Sequence, residues 1–468
     1  MMTRATNPDP FAMELGGAVR SEVVRKMNAR KWIWMALLMA GFWFARPYYL
    51  PWTAAEEADA DTRATAAQGS VERQVAMPLL SLLAVYMLWR SPTARKFKGK
   101  LMVVTVVYCA VQGASIAWSV DPLTTLRRLT VFYMLVVVAI AMARALTVMD
   151  LMKLAFFGCG ACAAISFLVD LVITRSFAPL DPEYRLMGVM SSNSQGQNIT
   201  VCVFAGLALL MKYPHWRRWM VPTLAFMMVL LYVTRSRTST FLCVVLGLFF
   251  VKRILDERFG KSKRMVVGFT VGGVLAAALI TFGSAQSAQN AAMLGRNDTQ
   301  NNASLSNRAP LWQEMDEYMQ VRPILGYGYA AFWTSDRIKR ISRDQGWGVP
   351  NAHNTYIDQH LSTGWPGVVL FVAMYWAGVV MAWARYIKQR NAETLLPAAM
   401  LTWLLLTSMA ESVPPDPFLP TFLVYVFLTQ LMLEQPPEKE CLQVVRRPTR
   451  RVVTHTRALP NPEMLPRG

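Results

Sequence analysis

The stretch WPGVVLFVAMYWAGVVMAWA, residues 365–384, decides the fold, because its twenty residues include no charged side chain. A hydrocarbon core about 30 Å thick is crossed by roughly 20 apolar residues in an α-helix. Every backbone N–H and C=O inside a bilayer must find a partner within the protein, which an apolar segment achieves as a helix. The stretch therefore predicts a transmembrane helix.

The composition extends this prediction to the whole chain. Of the 468 residues, 54% are hydrophobic and only 16% are charged, and the mean hydropathy is +0.28. These values exclude an ordinary soluble protein and predict an all-α, polytopic integral membrane protein. Basic cytoplasmic loops explain the net charge of +19, so no nucleic-acid partner is predicted.

A search for apolar runs bounded by charge yields about twelve predicted transmembrane helices. The runs lie near Trp32–Leu50, Val75–Trp89, Leu101–Trp118, Thr130–Ala145, Leu154–Ile173, Asn198–Met211, Trp219–Val233, Ser239–Val251, Met265–Phe282, Trp365–Ala384, Leu395–Met409 and Phe418–Met432. The predicted organisation is an N-terminal segment (1–30), spans one to nine (31–282), a large loop (283–364), spans ten to twelve (365–433) and a basic, disordered tail (434–468).

The distribution of Lys and Arg predicts the orientation of these spans. Six basic segments, RKMNARK, RSPTARKFKGK, KYPHWRR, KRILDERFGKSKR, RYIKQR and RRPTRR, fall on one side when the spans alternate. Positive charge concentrates in cytoplasmic loops. Both termini are therefore predicted to be cytoplasmic, and the large loop is predicted to be external.

Several arginines break this rule, because they lie on the predicted external side. Arg235 and Arg237 follow the seventh span, while Arg185 and Arg308 lie in external loops. Arg127 and Arg128 are weaker candidates of the same kind. Each alone is compatible with a snorkelling or ion-paired surface residue. Together they indicate recognition of an anion such as phosphate, for which the planar guanidinium fork is suited.

Metal ions and cofactors are not predicted for this external face. The external side has no H-x-x-x-H, and its D-x-D pair lies in the segment EEADAD (56–61), far from the external arginines in the sequence. The nearest acidic residues, Asp170, Asp181, Glu183 and Glu411, are scattered along the chain. An external phosphate is therefore expected to be held by arginine alone.

Two of the four histidines, His353 and His360, lie where the large loop meets the tenth span. Their spacing would place them on similar faces of one helix, two turns apart. The segment PNAHN is typical of a helix start capped by Asn, and STGWPG predicts a break before the span. His353 is equally compatible with a general base and with a capping or core histidine; His360 is interpreted as structural.

An ordered set of external motifs resembles the O-antigen ligase and O-antigen polymerase superfamily of bacterial surface-polysaccharide proteins. The motifs are WSVDP (118–122), RLMGVMSSNSQG (185–196), SRT (236–238), RAPLW (308–312), PILGYGYAAF (323–332) and HNTYIDQHLSTGWPG (353–367). The turn after Arg185 departs from the family pattern, since SSNSQGQN replaces the shorter turn with His or Pro before Asn that many members have.

The resemblance implies a membrane-embedded glycosyltransferase with a GT-C-like helical fold and a periplasmic site in the bacterial inner membrane. The loop histidine of the family matches His353, and its arginines match Arg237 and Arg185, which makes these three the predicted catalytic residues. The predicted substrate-binding residues are Arg235, Arg308, Asn354, Asn193 and Tyr329. The aromatic residues Tyr327, Tyr329, Phe332 and Trp333 could stack on sugars or pack the loop.

The implied reaction is metal-independent, inverting transfer of a glycan from a polyprenyl (undecaprenyl) pyrophosphate carrier to an acceptor hydroxyl. An O-antigen ligase using lipid A core is the first prediction, and a polymerase extending the growing glycan is the alternative. The resemblance also suggests membrane lipids, a flippase and a chain-length regulator as candidate partners. A secondary transporter is the remoter alternative, disfavoured because the spans carry almost no charge away from their ends.

Overall fold

The computed structural model describes residues 29–45, 71–90, 96–179, 181, 184–258, 308–413 and 416–434. The predicted ninth span, the N-terminal segment up to residue 28 and the tail after Glu434 lie outside these ranges. Within them the chain forms helices, together with one isolated bridge between Phe97 and Leu433. The all-α prediction is therefore confirmed.

The described helices overlap eleven of the twelve predicted apolar runs, and two further helices lie in the predicted large loop. They are α1 (29–44), α2 (Val71–Arg90), α3 (Lys100–Ala114), α4 (Pro122–Ala145), α5 (Val148–Leu168), α6 (Ser192–Lys212), α7 (Arg217–Val233), α8 (Arg237–Arg258), α9 (Arg308–Val321), α10 (Ser335–Gln345), α11 (Thr355–Gln389), α12 (Ala392–Thr407) and α13 (Leu419–Met432). By length and composition, α3, α4, α5, α6, α8 and α11 can cross a membrane, and α12 and α13 are shorter apolar helices.

Helix α6 lies at the centre of the bundle. It packs against α5, α7, α8, α12 and α13, and 89% of its most apolar window is buried. The predicted start at Asn198 was wrong, since the helix begins at Ser192 and Ser191 caps it. Its first turns are polar yet buried, at Gln195 and Gln197 for example. A search for apolar runs does not detect such turns, because their polar side chains are enclosed by other helices.

The described part of the predicted large loop is folded and has an apolar core of its own. Residues 308–362, which we term the cap, contain α9, α10 and the first turns of α11. A separate apolar core holds the cap together, and its buried members include Leu311, Phe332 and Ile341. The predicted external loop is therefore a packed structure over the residues that the structure describes.

The predicted break at STGWPG is confirmed within α11. Thr363 and Gly364 have non-helical backbone angles, so residues 355–362 belong to the cap while residues from Trp365 onward continue into the bundle. Gly364 has a φ of +64°, and a Cβ there would approach the carbonyl oxygen of Ile324 to 2.0 Å. Only glycine allows the chain at Ile324 to pass so close.

The segment after α3 attaches the cap to the bundle. The amide of Val120 donates to the carbonyl of Tyr327 at 3.0 Å, and the indole N–H of Trp118 donates to Leu325 at 2.7 Å. Arg128 of α4 donates to the carbonyls of Ala330 and Trp333. Two motifs distant in sequence, WSVDP and PILGYGYAAF, are thus hydrogen-bonded partners.

Replacing Gly364 with alanine should destabilise the protein more than replacing Gly346 with alanine. Both glycines have positive φ, but a Cβ at Gly346 would meet open space. Gly346→Ala should therefore lower the free energy of unfolding by only about 1–2 kcal/mol, the cost of a left-handed backbone conformation for a residue with a Cβ. Gly364→Ala adds a backbone collision, and thermal unfolding of the purified protein, followed by tryptophan fluorescence, measures the difference. Equal losses for the two variants would contradict this account of the break.

Candidate functional site

Two segments that carry predicted arginines are held side by side at the cap end of the bundle. The carboxylate of Asp170, at the end of α5, accepts the amides of Met187 at 3.2 Å and Gly188 at 3.0 Å. The amide of Leu186 donates to Val233 at 3.1 Å. Asp170 therefore shapes the turn after Arg185, and the Leu186 amide holds this turn beside the end of α7, from which Arg235 and Arg237 follow.

Arg185 is oriented by hydrogen bonds on two sides. Its Nε donates to the carbonyl of Thr234 at 3.3 Å, and its Nη2 donates to Oδ1 of Asn193 at 2.9 Å. The amide nitrogen of Asn193 donates in turn to Oε1 of Glu411 at 2.9 Å. Asn193 thus links an arginine of one loop to a carboxylate at the end of α12.

Glu411 is the residue where the remaining partners meet. Nη2 of Arg308 lies 3.1 Å from its Oε1, and Nδ1 of His353 lies 3.4 Å from its Oε2. Arg308 also donates to the carbonyl of Ala410. Burial acts to raise the pKa of Glu411, but the hydrogen bond and charge of His353, together with Arg308, outweigh it and hold the pKa below its usual value. Glu411 is therefore a carboxylate at neutral pH.

The cap fixes the backbone around Glu411. The hydroxyl of Thr355 donates to the carbonyl of Glu411 at 2.8 Å and accepts the amide of Val413 at 2.8 Å. Ser412 donates to the carboxylate of Asp358, which also accepts the indole N–H of Trp333 at 2.8 Å. The first turn of α11 therefore positions Glu411. It also positions His353, which directly precedes the helix N-cap residue Asn354.

His353 has an unusual backbone conformation. Its φ of +49° lies in the left-handed region, and its amide donates to the side chain of Asn351 at 3.0 Å. The ring lies against Trp347, with centroids 5.4 Å apart. Its Nε2 is buried and has no hydrogen-bond partner among the described residues. Non-glycine residues are held in this region mainly where surrounding structure over-determines them, often at functional sites.

The prediction that His353 and His360 share one helical face was wrong. His353 precedes the helix in its left-handed conformation, so helical periodicity does not apply to it. His360 is buried inside the helix and packs edge-on against Trp365, with centroids 5.0 Å apart; burial lowers its pKa. Its structural role stays a prediction, which this packing supports.

The other predicted site residues take more varied places. Asn354 caps α11, its side chain accepting the amides of Tyr356 and Ile357 at 2.9 and 3.4 Å. Arg235 is buried with a φ of +55° and donates to the carbonyls of Pro179 and Asp181, both at 3.4 Å. Arg237 is half-buried and opens α8.

The loop aromatics belong to the packing of the molecule. The backbone amide of Tyr329 donates to Ser115 at 2.9 Å, and its ring packs against Phe132, with centroids 5.4 Å apart. Burial raises the pKa of Tyr329. Tyr327, Phe332 and Trp333 are buried in the cap core. Of the two interpretations of these rings, the structure supports packing.

Sequence reasoning missed two acidic residues that organise the site. Asp170 and Glu411 are far apart in the sequence, but Asp170 shapes the Arg185 turn and Glu411 joins His353, Arg308 and Asn193. One signal was available, because alternation of the spans places Glu411 on the same external side as the arginines. Glu183 lies outside the described residues. Within the described ranges, no group of three or more His, Cys, Asp or Glu could hold a metal ion.

The arrangement unites an anion site with a proton acceptor. Arg308 contacts Glu411 directly, and Arg185 reaches it through Asn193. The guanidinium group is suited to binding anions such as phosphate. Glu411 faces Nδ1 of His353, and a carboxylate there favours the tautomer with the proton on Nδ1. Nε2 is then left as the basic nitrogen.

These features define a multi-pass helical membrane protein with an arginine–histidine site under a cap. Residues 222–372 match the family described as O-antigen ligase. The chain is also 26% identical over 344 residues to the exopolysaccharide production protein ExoQ of Rhizobium meliloti (strain 1021), covering 69% of this chain and 75% of that protein. These two similarities confirm the resemblance to the O-antigen ligase and polymerase superfamily that the sequence motifs predicted.

Replacing Glu411 with glutamine should destabilise the protein at neutral pH by about 1–3 kcal/mol, because buried cations lose their counter-charge. Because the pKa of Glu411 is lower in the folded protein than in the unfolded chain, its carboxylate stabilises the folded state at any pH above the unfolded-state pKa. This stabilisation is lost as the pH falls through the folded-state pKa. The difference in free energy of unfolding between the parent and Glu411→Gln should therefore become smaller below about pH 4.3. Unfolding of both proteins in detergent, followed across this pH range, measures it.

The matched control is Glu393→Gln. Glu393 pairs with Lys212 at 2.9 Å, but the side chains are 43% and 50% exposed, so its loss should cost below about 1 kcal/mol. If both variants lost the same stability, Glu411 would not have the central role described.

Proposed function

We propose that the protein transfers a glycan from a polyprenyl pyrophosphate carrier, of the undecaprenyl type, to an acceptor hydroxyl at the cap end of the bundle. The observation that carries the proposal is the joint anchoring of His353, Arg308 and Asn193 on Glu411, which supports a base and a cation that act on the same substrate. Similarity to the superfamily supports lipid-linked glycans as the substrate class.

The proposed step is a direct displacement at the anomeric carbon. The acceptor oxygen forms a bond to that carbon while the bond to the pyrophosphate oxygen breaks, and the leaving pyrophosphate keeps the electron pair. The hydroxyl proton passes to Nε2 of His353. Attack opposite the leaving group inverts the anomeric configuration, and a positioned base of this kind contributes about 10²–10⁴ in rate.

The arginines stabilise the leaving group in this proposal. Negative charge grows on the pyrophosphate oxygen as the bond breaks, and preorganised cations commonly supply the largest catalytic contribution. Arg185 and Arg237 are assigned this role, with Arg308 and Arg235 as supporting cations. The hydrogen bonds of Arg185 to Thr234 and Asn193 support preorganisation, because they fix the guanidinium plane before substrate arrives. The transfer is proposed to need no metal ion.

The proposed setting is the bacterial inner membrane, with both termini in the cytoplasm and the cap in the periplasm. The basic segments of the sequence support this orientation. A flippase that delivers the donor and a chain-length regulator are proposed as partners. We propose that Asn193 and Asn354, the N-cap residue of α11, contact sugar through their side-chain amides.

A polymerase is the second candidate, and the comparisons give it a specific basis. The matching family is described as O-antigen ligase, whereas the relative is an exopolysaccharide production protein. Attachment of a finished chain and extension of a growing chain use the same leaving group and the same proton transfer. The two functions therefore differ only in the acceptor.

Replacing His353 with alanine should reduce transfer from a lipid-linked donor by about 10²–10⁴, because the acceptor proton loses its base. Arg185→Ala and Arg237→Ala should each cost about 10²–10³, the effect of removing one stabilising donor of transition-state charge. Transfer by purified protein in detergent, with a polyprenyl pyrophosphate glycan as substrate, measures these losses.

Two exposed residues serve as matched controls. His215 lies between α6 and α7, and Arg343 lies on the outer side of α10. His215→Ala and Arg343→Ala should keep parental activity. Near-parental activity in both His353→Ala and Arg237→Ala, with folding verified, would refute the assignment of roles.

Deletion of the gene should distinguish ligase from polymerase. A ligase leaves long carrier-linked polymer without its final acceptor, so polymer should accumulate on the carrier. A polymerase leaves repeat units unjoined, so single units should accumulate. Gel analysis of carrier-linked glycan from the deletion strain measures this, and re-expression of the parent chain, with His353→Ala beside it, controls for indirect effects.

A further inference from the structure

The cap carries one exposed apolar tip, formed by Val321, Arg322, Pro323, Ile324 and Leu325. All five residues are exposed, and the relative exposure reaches 73% at Val321 and 66% at Ile324. Four neighbouring apolar side chains exposed on one loop are unusual. Such patches commonly mark contact with a partner or a membrane.

Hydrogen bonds set the level of this tip relative to the membrane helices. The amide of Trp365 donates to the carbonyl of Pro323 at 3.1 Å, and the indole of Trp118 donates to Leu325 at 2.7 Å. Trp365 begins the membrane part of α11, and Trp118 ends the apolar segment of α3. The tip therefore lies level with the ends of two spans.

The surface around the tip is apolar as well. Trp365 is 59% exposed, and Leu123, in the first turn of α4, is also exposed. Exposed side chains along α3 and α11, such as Val103 and Val369, continue this surface down the bundle. The tip thus extends the lipid-facing surface of the spans, which identifies its partner as the bilayer.

Cationic and aromatic side chains flank the apolar residues. The guanidinium carbons of Arg322 and Arg337 lie 5.3 and 5.0 Å from the ring centre of Tyr327. Tryptophan, tyrosine and arginine are the side chains typical of the boundary between headgroups and acyl chains. Arg322, exposed and next to Pro323, is placed to meet a lipid phosphate.

We propose that residues 321–325 are an interfacial anchor, whose apolar side chains enter the headgroup–acyl boundary of the leaflet on the cap side while Arg322 contacts lipid phosphates. The anchor is continuous with the site, because the amides of Tyr327 and Gly328 donate to the carbonyls of Leu361 and Ser362 at 2.8 and 2.9 Å. The bilayer thereby holds the helix that begins beside His353. The proposal does not depend on the glycan-transfer reaction.

The test places a fluorophore on the tip. Ile324→Cys is labelled with an environment-sensitive dye and reconstituted into phosphatidylcholine–phosphatidylglycerol vesicles that carry a spin-labelled lipid at a shallow or a deep acyl position. Arg343→Cys, exposed on α10 of the same cap, is the matched comparison. The described native cysteines are buried, or half-buried at Cys109, and the parent chain labelled in parallel gives the background to subtract.

Interfacial anchoring reaches about 5–10 Å into the boundary, so dye at position 324 should lose fluorescence to the shallow label more than to the deep label, while dye at position 343 stays unquenched. Equal quenching at the two positions, or no quenching at 324, would overturn the anchor. Adding Arg322→Gln should reduce the quenching at 324 in vesicles with phosphatidylglycerol; unchanged quenching there would overturn the phosphate contact.

Discussion

The paired charge of Glu411 is the constraint on which the site depends. Its side chain is only 16% exposed, and a carboxylate so far removed from water is stable only when cations and hydrogen-bond donors surround it. Asn193, Arg308 and His353 supply those partners. Because Asn193 belongs to α6 while Arg308 and His353 belong to the cap, satisfying one carboxylate requires the bundle and the cap to be docked correctly.

Docking of the cap depends in turn on backbone conformations with positive φ, which most residues other than glycine avoid. Gly364 and Gly326 bring the cap tip against the broken start of α11, where a Cβ would collide with backbone. His353 and Arg235 take left-handed conformations despite their side chains. Such conformations cost about 1–3 kcal/mol each and persist when many other contacts oppose their relaxation. At His353 those contacts are Asn351, Trp347 and Glu411, so the strain lies at the predicted base itself.

The sequence predicted those features that depend on local pattern. The length of the apolar runs located the spans. The segment STGWPG indicated the break at Thr363 and Gly364, and PNAHN indicated the helix N-cap at Asn354. The start of α6 and the role of Glu411 were not predictable in this way. Buried polar turns resemble loops in a hydropathy reading, and a single sequence does not reveal that residues 193, 308, 353 and 411 converge.

The geometry also indicates where acceptor choice must be encoded. In the proposed reaction the arginines stabilise the leaving pyrophosphate and His353 accepts one proton, and both steps are common to a ligase and a polymerase. None of these groups distinguishes a lipid acceptor from a growing glycan. Discrimination then requires surfaces that extend beyond the reacting atoms, because specificity is a difference in binding between two complete acceptors. The cap meets this requirement, since the helix that follows His353 is bonded to the exposed tip at the level of the span ends. A lipid acceptor would approach along that same boundary, whereas a glycan on its carrier would need room above it.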